Sequence, residues 1–149
     1  MDFRKANEGD IPLLARFRKQ QLLDEKLPPV ADIDRELLDY FTFSLADGSL
    51  ISWLAIDGGE IIATSGICFY QLPPTYTNPT GRVAYVTNMY TLPSHRKQGI
   101  ASRLLGLLLD EARTRGYTIV RLHASIDGKS IYRKFGFEDS EGYMAKKLS

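Results

Sequence analysis

Arg96-Lys97-Gln98-Gly99-Ile100-Ala101-Ser102 is the stretch of this sequence best suited to chemistry on a ligand. It places two cations and a glycine where a strand passes through Pro93 into apolar residues at helical spacing. The first turn of a helix leaves several backbone N–H groups unpaired and carries a partial positive charge, so it attracts anions. A glycine there lets a ligand approach main chain that a Cβ would screen. Cations, unpaired N–H groups and open backbone together suit a pyrophosphate. Gly128-Lys129-Ser130 invites a similar reading, but a P-loop needs a glycine five positions earlier, where His123 stands. Cys68 is the lone cysteine, and His95 and His123 are too scattered to build a metal site without carboxylates, so no metal is expected.

These residues need a frame. Residues 3–6 read as a short strand. Asp10 is placed to cap a first helix with Pro12 in its first turn, and Leu13, Leu14, Phe17, Leu22 and Leu23 give that helix an apolar face. Pro28-Pro29 ends it. Asp32 or Asp34 caps a second helix carrying Ile33, Leu37, Leu38, Phe41 and Leu45, which stops near Asp47-Gly48. Residues 51–56 and 61–72 form a hairpin about Asp57-Gly58-Gly59-Glu60. The proline-rich residues 73–81 form a loop, and residues 82–91 form the strand that ends at the basic turn. A helix over residues 98–115 buries Ile100, Ala101, Leu104, Leu105, Leu108 and Ala112 and stops at Gly116. Residues 118–124 form a strand with Val120 and Leu122 on one face and Arg121 and His123 on the other. Asp127 caps a short helix through Phe135, and residues 137–148 offer two final short strands. This order predicts an α+β domain of three-layer α/β/α type.

Composition narrows the function classes. A chain of 149 residues is one domain with a single substantial core, and 44% apolar with 25% charged residues is the profile of a soluble globular protein. A net charge of +1 without blocks of like charge argues against nucleic acid as a partner. No run approaches a membrane span and no apolar signal core follows Met1, so no membrane is expected and the expected location is cytoplasmic.

Two motifs carry a resemblance to a known family. Arg96-Lys97-Gln98-Gly99-Ile100-Ala101 fits Arg/Gln-x-x-Gly-x-Gly/Ala, and Ser125 through Phe137 follows Asn-x-x-Ala-x-x-Leu-Tyr-x-x-x-Gly-Phe, with Tyr132, Gly136 and Phe137 matching and Ile131 replacing Leu. Ser125 takes the Asn position and Gly128 the Ala position. Together they resemble the Gcn5-related N-acetyltransferase (GNAT) superfamily, and the element order resembles its fold along essentially the whole chain: a central mixed, mostly antiparallel sheet flanked by helices. The resemblance implies acetyl-CoA as acyl-donor cosubstrate and an amine as acceptor, joined by direct attack in a ternary complex. It implies that the pantetheine arm lies against the backbone of Met89, Tyr90 and Thr91, with a contact from Ser125. The pyrophosphate would be held by Arg96, Lys97, Gln98, Gly99, Ile100, Ala101 and Ser102, and Tyr132 would protonate the leaving thiolate.

The acceptor side has fewer landmarks. In this fold it is lined by the loop between the first two helices, around Leu27-Pro28-Pro29-Val30, and by the loop over residues 72–81. Tyr70, Pro73, Tyr76 and Asn88 are the candidates to face the amine. Relatives often place a Glu on the strand entering the first motif, whereas Tyr85, Thr87 and Asn88 carry no carboxylate. His123, Glu141 through a water, Tyr85 and ordered waters are the open alternatives for taking the amine's proton. The competing reading is a non-catalytic acyl-CoA-binding regulatory domain, and a third is an adaptor using the fold as a scaffold. A homodimer is left open.

Overall fold

Among the described residues six strands form one sheet, in the order β1 (Asp2–Lys5), β3 (Trp53–Asp57), β4 (Glu60–Gln71), β5 (Arg82–Thr91), β6 (Val120–Leu122), with the short β2 (Leu50–Ile51) pairing β4. The computed structural model describes residues 1–126, 128–140 and 142–148. The elements run β1 (Asp2–Lys5), α1 (Ile11–Asp24), α2 (Asp34–Asp47), β2 (Leu50–Ile51), β3 (Trp53–Asp57), β4 (Glu60–Gln71), β5 (Arg82–Thr91), α3 (Ile100–Thr114), β6 (Val120–Leu122) and α4 (Lys129–Lys134). Every pairing is antiparallel except β5 with β6, which is parallel, as the mixed and mostly antiparallel expectation requires.

Strand alternation sends neighbouring residues to opposite faces and so fixes the layers. Leu54 packs with Ile11, Leu14, Ala15 and Phe41 of α1 and α2, while its neighbour Ala55 packs with Ile100 and Leu104 of α3. Farther along α3, Leu105, Leu108, Leu109 and Ala112 close over Ile67, Ala84 and Val86. The sheet is therefore sandwiched between α1/α2 and α3, with α4 packed on the α3 side through Ile131 and Tyr132. Among the described residues no helix is long and apolar enough to cross a membrane.

Local chemistry moves several boundaries. Asp10 precedes α1 but makes no cap bond there: its carboxylate takes two hydrogen bonds from Arg4, at 2.7 and 2.9 Å, and one from the Asn7 N–H. The N-cap of α2 is Ile33, with Asp32 Oδ1 accepting from the Asp34 N–H at 3.0 Å. Leu23 and Leu38 are exposed instead of joining the apolar faces. The strand expected over residues 51–56 breaks at Ser52, whose hydroxyl donates to the Ser65 carbonyl at 2.6 Å. That expected over residues 118–124 shortens to β6, which leaves His123 beyond it. The two final strands are not formed among the described residues of 137–148. Asp139 instead reaches back to Lys129 and Arg133 on α4, at 3.7 and 3.4 Å. The cap expected from Asp127 lies outside the described residues.

Candidate active site

The site is built where β5 loses a neighbour. Among the described residues β6 pairs β5 only at Ala84↔Val120, Tyr85↔Arg121 and Val86↔Leu122, after which β5 continues to Thr91 with no strand beside it on that side. The backbone of residues 87–91 therefore presents an open edge, the kind of main chain that accepts an extended ligand as an added strand. Met89, Tyr90 and Thr91 all lie on it.

A bulge on this edge redirects the side chains. Pairing with β4 jumps from Gly66↔Thr87 to Thr64↔Tyr90, so Asn88 and Met89 together oppose Ser65. Asn88 takes φ +57°, a left-handed conformation that asparagine tolerates better than most residues, and its carbonyl accepts from Thr64 Oγ1 at 3.0 Å. One extra residue flips the parity of a strand. Before the bulge Ala84 and Val86 face α3 while Tyr85 and Thr87 face the α1 side; after it Met89 faces α3 and Tyr90 meets Phe17 of α1, ring centroids 5.3 Å apart. Gly66 makes the crossing tight enough, since a Cβ there would lie 3.2 Å from the Thr87 carbonyl oxygen.

At the end of β5 the chain turns through Pro93–His95 into the basic loop. Lys97 at φ +61° and Gly99 at φ +79° curl the backbone, and α3 begins at Ile100 with no side-chain cap. Among the described residues, the N–H groups from Lys97 to Ser102 have no backbone acceptor, the first protein-satisfied donor being Arg103 to the Gly99 carbonyl. Curled main chain and an uncapped helix N-terminus together make an anion cradle. A Cβ on Gly99 would meet nothing within 4 Å, so the cradle is open to solvent there. The loop is held from behind. His95 is hydrogen-bonded to Asp57 at 2.9 Å and to Ser94 at 2.8 Å. The Arg96 side chain turns away from the cradle to the Thr91 carbonyl at 2.9 Å and to Asp24 at the end of α1 at 3.1 Å. Arg96 thus serves the cradle through its backbone and as a strut, while Lys97 and Gln98 are exposed at its mouth.

Two cavities flank the open strands. One of about 790 Å³ is lined by Arg18, Gln21 and Glu25 of α1 and its end, by Tyr85 and Thr87, and by residues 123–126. The other, about 480 Å³, lies against β6 and α4 and is lined by Tyr70, Tyr85, His123, Tyr132 and Arg133 among others. Tyr132 sits in the α3-side cluster with its ring against Phe137 at 6.0 Å. Burial, with a smaller contribution from the charge of Glu25, pushes its phenol above the ordinary tyrosine value, so it stays protonated at neutral pH. Tyr85 is raised too, chiefly by burial, which weighs against it as a base near neutrality. Ser125 Oγ accepts from the Gly128 N–H at 3.2 Å, leaving the hydroxyl proton to donate. A Cβ at Gly128 would come within 3.0 Å of the Tyr132 ring and 3.1 Å of Ser125 Oγ, which accounts for glycine where the motif has alanine.

Of the acceptor-side candidates, Tyr70 lines the smaller cavity, Asn88 is buried in the bulge, and Tyr76 stands fully exposed on its loop away from both cavities. His123 lines both, and Glu141 lies outside the described residues. Sequence reasoning missed the row Arg18, Gln21, Glu25. Its i, i+3, i+7 spacing was the available signal, but which face of α1 meets the cleft is not written in that spacing.

A strand splayed from its parallel neighbour, bulged, and running into an anion cradle at a helix N-terminus is the arrangement of an acyl-CoA-dependent transferase. The model of the acetyltransferase (GNAT) family matches residues 17–137, and the chain belongs to that family. Among solved structures it is similar to a Clostridium acetobutylicum protein described as a predicted acetyltransferase and solved with acetyl-CoA: 46% identity, 99% of this chain and 96% of that one covered, TM-score 0.95. A GCN5-related N-acetyltransferase from Ralstonia eutropha is similar at 27% identity and TM-score 0.88, with 99% and 97% covered. Among curated proteins, mouse thialysine N-epsilon-acetyltransferase is 26% identical over 95% of this chain and 88% of its own length. The chain spans about half the length of rat N-acetyltransferase 8B, with which it shares 29% identity over 76% of its own residues.

Proposed function

We propose that this chain, acting as one domain, is an N-acetyltransferase that moves the acetyl group of acetyl-CoA to a primary amine by direct attack in a ternary complex. The observation that carries this reading is the continuity of the open β5 edge with the anion cradle at residues 97–102. An extended thioester arm and its pyrophosphate fit that path together. The Clostridium relative solved with acetyl-CoA supports the donor, and the mouse relative, named for acetylating a side-chain amine, supports the acceptor class. A cytoplasmic setting goes with this donor.

In this reading the site residues divide the work. Backbone groups of Met89, Tyr90 and Thr91 hold the arm, Ser125 adds a hydroxyl contact, and the N–H groups from Lys97 to Ser102 hold the pyrophosphate. Fixing the thioester against the amine supplies much of the rate, since holding two reactants in place removes an entropic barrier. The amine begins near pKa ~10.4 and must shed a proton before attacking. That proton leaves toward the larger cavity, whose wall carries His123 and Glu25. Tyr132, kept protonated by its surroundings, gives its proton to the departing thiolate. The reading is tested by following thermal unfolding against acetyl-CoA and CoA release against an amine panel. An upward shift with amine-dependent release is expected, and no shift at millimolar acetyl-CoA would overturn it. A shift without release from any amine would favour the regulatory-domain reading, which the phenol of Tyr132 argues against.

A further inference from the structure

The acceptor wall of the larger cavity carries an ordered polar row. On α1, Arg18 Nη1 donates to Gln21 Oε1 at 3.2 Å, and Gln21 Nε2 donates to Glu25 Oε1 at 3.2 Å. All three side chains line the same cavity, opposite Tyr85, Thr87 and His123. Residues at i, i+3 and i+7 share one helix face, so the row runs along the cavity with a cation at one end and a carboxylate at the other. Two hydrogen bonds and one carboxamide separate the heads, which places them at most about 9 Å apart. Of the neighbouring charges on this lining, Asp24 is already engaged by Arg96 and Gln20, and Lys26 stands beyond Glu25. Each bond to Gln21 uses one site of its partner. Arg18 keeps further N–H donors and Glu25 a second oxygen for a ligand.

We infer that Arg18 and Glu25 are the acceptor-selecting pair, and that the acceptor is an ω-amino carboxylate, an alkyl ammonium and a carboxylate separated by several methylenes. Glu25 pairs with the ammonium at the end of the cavity nearer Tyr132, and Arg18 takes the carboxylate two helical turns away. Opposite charges at the two ends of one row discriminate against a diamine, which meets Arg18 with a second cation, and against a monoamine, which offers Arg18 no carboxylate. The electrostatics agree with this placement. Beside the dominant effect of burial, the charge of Arg18 lowers and that of Glu25 raises the proton affinity of the Tyr85 hydroxyl, as expected of groups that line one cavity with it, and Glu25 acts likewise on Tyr132. The carboxylate that receives the amine therefore comes from the end of α1, and not from β5.

This inference rests on the acetyltransferase reading, and the experiment separates the two. Initial rates of CoA release are measured with ε-aminocaproate, its methyl ester, hexylamine and hexamethylenediamine, alongside the Kd for acetyl-CoA. The wild type is expected to prefer ε-aminocaproate over its ester in kcat/KM by about tenfold to a hundredfold, the range for one charge-assisted hydrogen bond. Arg18→Gln should bring that ratio close to one, Arg18→Lys should keep part of it, and Glu25→Gln should raise KM for every amine. The acetyl-CoA Kd and the unfolding temperature of each variant should match the wild type, which shows that none of them fails by misfolding. Equal rates on the acid and its ester would overturn the assignment, as would preference for the diamine, or loss on Arg18→Gln that is the same for all four amines. Failure to bind acetyl-CoA would instead overturn the acetyltransferase reading itself. Binding without turnover of ε-aminocaproate would overturn the acceptor assignment alone.

Discussion

Replacing Gly99 tests the anion cradle with a magnitude that can be worked out beforehand. Gly99 holds φ +79° at the N-cap of α3, and an added Cβ meets nothing within 4 Å. Gly99→Ala therefore brings no clash, only the left-handed conformation, at about 1 kcal/mol. In a domain of this size that lowers Tm by about 2–4 °C. Gly99→Glu carries the same conformational cost, but its carboxylate at the positive end of α3 returns about 0.3–1 kcal/mol, so it should be no less stable than the alanine variant. With ligand the order separates. A carboxylate about 4 Å from a phosphate charge is repelled by ~1 kcal/mol in bulk water and ~4 kcal/mol near a protein surface. An intermediate ~2 kcal/mol weakens binding about thirtyfold. At acetyl-CoA of ~100 times the wild-type Kd, the wild type gains ~2.7 kcal/mol of stability and the glutamate variant only ~0.9 kcal/mol. Thermal unfolding of the three proteins with and without acetyl-CoA reads both quantities. A glutamate variant that keeps the full wild-type shift, or an alanine variant that loses as much as glutamate, would refute the placement of the pyrophosphate at this loop.

Tyr132→Phe keeps the ring against Phe137, so Tm and acetyl-CoA Kd should hold while kcat falls about 10²-fold, the low end for a general acid because thiolate leaves tolerably unprotonated; single-turnover rates check it, and an unchanged chemical step would leave Tyr132 as packing. Asp10→Asn should cost about 1–3 kcal/mol at neutral pH, because a buried carboxylate with Arg4 and the Asn7 N–H on it is replaced by a poorer acceptor. The Arg4 guanidinium, chiefly through its hydrogen bonds, holds the Asp10 carboxyl below its usual range, so this stabilisation is complete above the unfolded carboxyl pKa of ~3.9 and is lost as pH falls through the lower folded value. Denaturant midpoints of the two proteins should converge in acid; a gap that widens there would contradict the sign. Cys68 is half-buried and burial pushes its thiol up, so it should react slowly with a disulfide reagent near neutral pH, and rapid labelling of the native protein would contradict that environment.

What the sequence disclosed and what it hid divide along contact range. The cradle is contiguous: Lys97, Gly99 and the helix start lie within a few residues, and local propensity is enough to read them. The apolar faces of α1, α2 and α3 followed from helical spacing, and Phe41 and Leu104 are buried where that spacing put them. The bulge at Asn88 and Met89 could not be read, because it exists only as an offset between β5 and β4. Arg96 was read as a phosphate cation, but its partner Asp24 lies 72 residues away and only the fold brings them together. Residues 137–148 have strand-like composition in places, yet Asp139 finds cations on α4 that no periodicity announces.

The parity flip in β5 has a consequence for anyone recombining this chain with a relative. Side-chain addresses beyond Asn88 depend on the bulge absorbing one residue: paired regularly with β4, the same sequence would turn Tyr90 off Phe17 and drive Met89 out of the α3 layer without altering a letter. The offset is shared with Ser65 and Gly66 on the neighbouring strand, which makes the two stretches a single inheritable unit. A crossover that takes one without the other joins sequences that are each well formed and yet mismatched in phase. Grafts of a new acceptor wall onto this scaffold should therefore cut within the loop over residues 72–81 only when β4 and β5 carry the same count, and otherwise before β4 or after Thr91.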